Sequence, residues 1–287
     1  MEPPGYSGRF FRLKDRRFRP FPESDCEKNM SLKQRLESDA VVFTSWSGVP
    51  DALTVEIMAA QGFDAVTLDM QHGGHNDDSV LRCLVPVLSA GKAAIVRVPV
   101  GRFDMASRAL DFGAEAVIAP MINSVADARA FAAAMKYPPL GGRSWGPTYA
   151  FPRHGQGDHQ QWLRTSNERT LSFAMIETRE ALDALDGILA TPGIDAIFLG
   201  PGDFSIAWTE GRQVDSTLEA IMETVASVAK RARAAGKHAG IYVTDPAIAG
   251  RFVDMGYRLL ATGSEHQLIA QGAAGLLSSL KQSVGSR

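Results

Sequence analysis

From Val41 onward, short β-branched runs alternate with longer stretches whose apolar positions recur at helical spacing. The runs are "VVFTSWS" from Val41, "AVTLDM" from Ala65, "AAIVRVP" from Ala93 and "AVIAPMI" from Ala116. "LSFAMIET" from Leu171, "AIFLGP" from Ala196, "HAGIYV" from His238 and "YRLLATG" from Tyr257 complete the set. Runs this short and this apolar suit strands buried on both faces. Between them lie helical patterns such as "PDALTVEIMAAQG", "MASRALDFG", "SVADARAFAAAM" and "STLEAIMETVASVAKRARAAG", several closed by a glycine suited to a helix C-terminus. Eight such strand–helix repeats predict a TIM (β/α)8 barrel, a single domain over residues 31–287.

Residues 1–30 break the pattern, because "GRFFRLKDRRFRPFP" mixes arginines and a lysine with aromatics and prolines. They are expected to form a basic, flexible extension outside the barrel. The whole chain carries 30 basic against 32 acidic side chains, so charge selects neither nucleic acid nor a membrane surface as partner. Cys26 and Cys83 stand alone, without the paired spacing of a disulfide framework or a cysteine-based zinc site, which suits a reducing cytoplasm. Every apolar stretch is interrupted before the roughly 18 residues that a membrane span needs.

In a (β/α)8 barrel, chemistry sits at the C-terminal ends of the strands, and the endings here are polar. Asp69 closes the second run with Gln71 and His72 just beyond; Arg97 lies near the end of the third; Glu177 ends the fifth; Asp203 follows the sixth in "LGPGDFS". Periodicity alone does not ask for ionisable groups from four strands on one face. Two carboxylates with no His or Cys cluster, Glu177 and Asp203, suit a hard divalent ion such as Mg²⁺, Mn²⁺ or Co²⁺. The "GPGD" turn can bring backbone N–H groups to an anion, since Gly202 has no Cβ to obstruct approach. A guanidinium such as that of Arg97 can stabilise a developing oxyanion, and an imidazole such as that of His72 can move a proton. Asp69 or the more distant Asp111 can orient that histidine or a water. Together these groups suit enolate chemistry beside a 2-oxo acid.

The segments "LDMQHGGHND", "VRVP", "LDFGAEAVIAPMINSVADA", "YPPLGGRSWG" and "MIETREALDALDGILATPGIDAIFLGPGDFS" resemble the motifs of the HpcH/HpaI aldolase family, from about Val41 to about Gly272. The resemblance implies a class II pyruvate aldolase that cleaves 4-hydroxy-2-oxo acids to pyruvate and an aldehyde through a metal-bound enolate. It further implies Glu177 and Asp203 as metal ligands, Arg97 on the pyruvyl oxygen, and His72 in acid/base catalysis with Asp69 and Asp111 nearby. Gln71, Gly202 and Asp203 would face the substrate. The implied assembly is a homo-hexamer, a trimer of dimers that exchange their last helix. Two positions depart from the family: Gln71 where a glutamate is common, and Ser144 where a glycine is. The segment from Ser144 to Arg169, which lacks a clear period, is expected to be a substrate loop that helps choose the aldehyde.

Competing readings use the same residues. An oxaloacetate decarboxylase or a CoA-thioester lyase would share the enolate site, and a non-catalytic 2-oxo-acid-binding protein would leave Gln71 in a retired water network. A zinc site through His72 and His75 is disfavoured by the flexible "HGGH" loop and the lack of a third soft ligand. A Schiff-base mechanism needs a desolvated lysine at the strand endings, and Lys92, Lys136, Lys230, Lys237 and Lys281 fall elsewhere.

Overall fold

The computed structural model describes residues 30–154 and 158–285, so all but one residue of the N-terminal extension lie outside the described part. The chain runs α1 (Leu32–Glu37), β1 (Val42–Ser47), α2 (Ala52–Ala59), β2 (Ala65–Asp69), α3 (Asp77–Ser89), β3 (Ala93–Arg97), α4 (Phe103–Phe112) and β4 (Ala116–Ala119). It continues through α5 (Val125–Met135), α6 (Ala150–His154), α7 (His159–Arg169), β5 (Leu171–Ile176), α8 (Arg179–Asp183), α9 (Leu185–Leu189) and β6 (Ala196–Leu199). The last third is α10 (Pro201–Trp208), α11 (Glu219–Ala234), β7 (His238–Tyr242), α12 (Ala249–Met255), β8 (Leu259–Ser264) and α13 (Glu265–Gly285). Each strand pairs in parallel with the next and β8 closes on β1, so the (β/α)8 barrel read from the repeats is the fold.

Two apolar layers hold it. Val42, Trp46, Ile95, Ile118, Phe173, Met175 and Phe198 point inward and fill the barrel, while Val66, Leu68, Val96, Val117 and Ile197 alternate outward against the helices. Leu32 and Leu36 of α1 join the inner cluster and plug the barrel at the strands' N-terminal end. Burying each leucine contributes about 2 kcal/mol. A capping box from Ser31 starts α1, and the Leu32 N–H donates to Glu115 just ahead of β4. Asp51, Asn76, Ser124 and Thr178 cap the helices that follow β1, β2, β4 and β5, which fixes where those strand-to-helix loops end. Gly113 (φ 113°) and Gly256 (φ 108°) close α4 and α12 in the left-handed conformation that a Cβ would disfavour.

The stretch from Ser144 to Arg169 is more regular than its sequence suggests, for it contains α6 and α7. Its described residues, 144–154 and 158–169, also lie at the other end of the barrel. It leaves the end of α5 and returns to the start of β5, and Arg153 donates to Phe112 O and Leu81 O while His154 bonds Gly113 O. Within one chain it therefore does not overhang the strand C-termini.

Candidate active site

Asp69 and Arg97 are directly paired positions of the β2–β3 ladder, at the last turn of the barrel interior. Arg97 donates from Nε to Asp69 Oδ1 at 2.8 Å and from Nη2 to Oδ2 at 2.6 Å, and both residues are buried. Asp69 also accepts from Trp46 Nε1 at 3.2 Å and from the Gln71 and His72 N–H groups at 3.0 and 3.4 Å. Burial alone raises the Asp69 carboxyl, but the Arg97 guanidinium and these N–H donors outweigh it and hold the group below the usual carboxylate range. On its other face Arg97 lies 4.8 Å from the Trp46 ring centroid, and Trp46 meets Tyr242 edge to face at 5.3 Å. The guanidinium is clamped, with Nη1 left uncommitted to Asp69.

Glu177 follows β5 and is 2% exposed. Its Oε1 accepts from the Met121 N–H at 2.7 Å, and Met121 holds φ 54°, a strained conformation for a residue with a Cβ. Burial pushes the Glu177 carboxyl up to about 7 against that hydrogen bond, and the neighbouring charge of Asp203 adds to the rise. Gly200 gives Glu177 its room: a Cβ there would come within 2.9 Å of Glu177 Oε2 and 2.5 Å of Met175 Cε. Asp203 itself is exposed in the first turn of α10. Among the described residues no group of three or more His, Cys, Asp or Glu gathers around a point. What is present is a carboxylate pair whose buried member is pushed up to about 7 although the charge of Arg97 opposes the rise. That donor set fits a hard divalent ion held by two carboxylates and completed by water or substrate.

The "GPGD" stretch, read from sequence as a turn, is the start of a helix. Gly200 caps α10 and Pro201 occupies its first position, so Gly202 and Asp203 sit where a helix presents free N–H groups. A Cβ at Gly202 would meet nothing within 4 Å, which leaves the approach to that helix end open.

His72 is exposed at the rim, its backbone fixed by Asp69. Asp69 thus orients Arg97 and the backbone of the His72 loop rather than standing as a dedicated partner of the imidazole. Asp111 is not brought to this site by its own chain. It lies in the last turn of α4, at the opposite end of the barrel, and pairs with Arg143 at 2.5 Å. Burial raises the Asp111 carboxyl despite that arginine. His72 and His75 do not share a site either: His75 is buried, with Ser47 Oγ 2.9 Å from Nε2 and Ser79 Oγ 3.1 Å from Nδ1. Lys136, one of the lysines read as lying away from the strand endings, is buried with its pKa lowered by desolvation. It is committed to Asp195 at 2.7 Å and to the Asn167 and Thr170 carbonyls, away from the strand C-termini. Sequence reading missed Trp46, Tyr242 and Gly200. Trp46 and Tyr242 at inward strand positions read as core, and only their place at the last inward layer marks them.

A barrel whose C-terminal mouth holds a clamped arginine, a carboxylate pair and an open helix N-terminus is equipped for an anionic substrate and a developing oxyanion. Residues 43–272 match the HpcH/HpaI aldolase/citrate lyase family, and the chain belongs to it, as a lyase of the class II pyruvate aldolase type. It is 32% identical over 243 residues to a hydroxypyruvate/pyruvate aldolase of Roseovarius nubinhibens, covering 85% of this chain and 93% of that one. It is 33% identical over 244 residues to a 4-hydroxy-2-oxovalerate aldolase of Novosphingobium aromaticivorans, covering 85% and 91%. The crystal structure of an HpcH/HpaI aldolase from Desulfitobacterium hafniense superposes with a TM-score of 0.79 at 26% identity, over 88% of this chain and 97% of that one.

Proposed function

We propose that the protein reversibly cleaves 4-hydroxy-2-oxo acids to pyruvate and an aldehyde, with a divalent cation between Glu177 and Asp203. The observation that carries this reading is the pairing of a clamped Arg97 with a Glu177 carboxyl pushed up to about 7 at the same mouth. Bound there, Mg²⁺, Mn²⁺ or Co²⁺ supplies Lewis acidity toward the oxygens of the 2-oxo acid. The substrate carboxylate takes the N–H groups that begin α10 near Gly202. Arg97 directs its guanidinium at the 2-oxo oxygen and shares the charge that grows there. His72 removes the proton from the C4 hydroxyl; the C3–C4 bond breaks, the aldehyde leaves, and its electron pair becomes the enolate of pyruvate. Protonation at C3 completes the product. Gln71, placed beside Asp69, offers hydrogen bonds to the same water and substrate groups without adding a charge.

Asp111 can serve this reaction only if another copy presents it to the site. α13 supports assembly of several copies, since Ile269, Leu276, Leu277, Leu280 and Val284 form an exposed apolar stripe along a helix that leaves the barrel. A stripe of this kind needs cover, and exchange of α13 between two copies within a hexamer provides it. Among the described residues no helix is long and apolar enough to cross a membrane.

The test is pyruvate release from a panel of 4-hydroxy-2-oxo acids and oxaloacetate, in EDTA and after restoring each cation, with a borohydride trapping control. Metal-restored cleavage without trapping supports the reading. Decarboxylation of oxaloacetate alone, or cation-dependent pyruvate binding without turnover, would replace it. Mass measurement in solution tests the hexamer.

A further inference from the structure

Glu265, the first residue of α13, is 3% exposed and lies outside the site described above. Its carboxylate accepts from Ser47 Oγ at 2.6 Å, from the Gly48 N–H at 2.9 Å and from the Val49 N–H at 3.3 Å. Ser47 has one hydroxyl proton, and the carboxylate takes it. His75 Nε2, 2.9 Å from the same oxygen, must then be the donor, which assigns the imidazole tautomer from the network. Burial lowers the His75 pKa against the charges of Glu265 and Asp69, in keeping with a neutral ring. On its other side the ring meets Ser79, which with Asn76 forms the capping box of α3.

This junction bears on His72 through the backbone. The Gly74 N–H donates to Gly48 O at 2.7 Å. A Cβ on Gly73 would lie 2.9 Å from Gly48 Cα and 2.4 Å from Asp69 O, and one on Gly74 would lie 3.0 Å from Pro50 Cδ. The loop that displays Gln71 and His72 is therefore pressed directly against Gly48–Pro50, with no side chain between to absorb a shift. Gly48 is held in turn by Glu265. The buried carboxylate ties the root of α13 to the end of β1, and the loop after β2 joins that end through Ser47 and Gly48.

We propose that Glu265, acting through Ser47, Gly48 and His75, is a positioning residue for His72, so that the seat of α13 sets the geometry of proton transfer. It touches neither substrate nor metal. The proposal rests on the aldolase reading. Misplacing a reacting group by about 1 Å can cost on the order of 100-fold in rate. Glu265→Gln keeps the shape but cannot accept from all three donors, and Ser47→Ala removes the link to His75.

The experiment is a double-mutant cycle on cleavage of the best 4-hydroxy-2-oxo acid at saturating metal. It uses the full-length chain with Glu265→Gln, Ser47→Ala, His72→Ala and each pair with His72→Ala. The expected result is a loss of roughly 10- to 100-fold in kcat for Glu265→Gln with KM changed less than about threefold, and a smaller loss of the same kind for Ser47→Ala. In the His72→Ala background Glu265→Gln should then cost no more than about twofold, because the geometry it protects is already gone. Tyr257→Phe, which removes a buried hydroxyl bond to Val225 O, is the control for lost stability without lost turnover. Equal fold losses with and without His72, or full turnover in folded Glu265→Gln, would overturn the proposal while leaving the aldolase reading intact. No cleavage by the unaltered protein would sink both.

Discussion

Both ends of the barrel bury charged side chains, and the two ends treat them differently. At the N-terminal end the charged groups meet opposite charges: buried Lys136 with Asp195 and two carbonyls, half-buried Asp111 with Arg143. At the C-terminal end one pair is matched, Asp69 with Arg97, and one carboxyl is not: Glu177 has a single N–H donor, a like-charged neighbour and a pKa pushed up to about 7. Matched burial holds an element in place. A buried carboxyl short of positive charge costs stability and persists where a ligand completes it. The site proposed above lies at the end that holds the unmatched carboxyl.

The largest expected effect comes from Arg97→Ala. It removes the oxyanion donor and leaves Asp69 buried without its cation, so kcat/KM should fall about 100- to 1,000-fold. Stability should fall by about 3 kcal/mol, since one half of a buried pair remains uncompensated. Steady-state kinetics and urea unfolding read the two losses separately. Lys136→Met sharpens the comparison from the other end: the same order of stability loss, about 3 kcal/mol, with kcat of the folded enzyme within about twofold. A collapse of kcat in folded Lys136→Met would break the assignment of that end to structure.

Glu177→Gln tests the unmatched carboxyl. Because the folded pKa is raised from 4.5 to about 7, the native state holds this proton more tightly than the unfolded chain does. The resulting stability is fully present below about pH 4.5 and is lost as pH rises through about 7. At pH 8 the metal-free Gln variant, which has nothing to ionise, should therefore be more stable than the unaltered protein by on the order of 3 kcal/mol. Its thermal unfolding should also ignore added Mg²⁺ or Mn²⁺. For the unaltered protein, proton and cation compete, so metal affinity should climb with pH up to about 7 and then level off, as read by calorimetry. The smallest effect is Ser31→Ala, which removes the capping box of the plug helix: about 1 kcal/mol of stability by urea unfolding, and no change in turnover.

Much of this was legible in the sequence, for a physical reason. A strand in a barrel buried on both faces is written as a short apolar run, and an ionisable residue where such a run ends has few places to be except the mouth. Asp69, Arg97 and Glu177 were placed at the mouth that way, and there the structure has them. Asp111 lies far from the other three within one chain because a helix about ten residues long carries the chain roughly 15 Å down the barrel, so a residue near its end belongs to the opposite face. The same reversal moved the segment from Ser144 to Arg169 away from the mouth of its own chain. Trp46 and Tyr242 were hidden by being aromatic and inward, indistinguishable from core until the layer they occupy is known. Glu265 was hidden by topology: it lies more than 200 residues from Ser47 and Gly48, and only closure of β8 onto β1 brings them together.

The most direct measurement is pyruvate release by metal-stripped enzyme titrated with Mg²⁺, the unaltered protein and Glu177→Gln side by side on a 4-hydroxy-2-oxo acid. The expected result is no release in EDTA, saturable recovery in the unaltered protein and little or none in the variant. Cleavage that persists in EDTA, or equal recovery in both proteins, would contradict it.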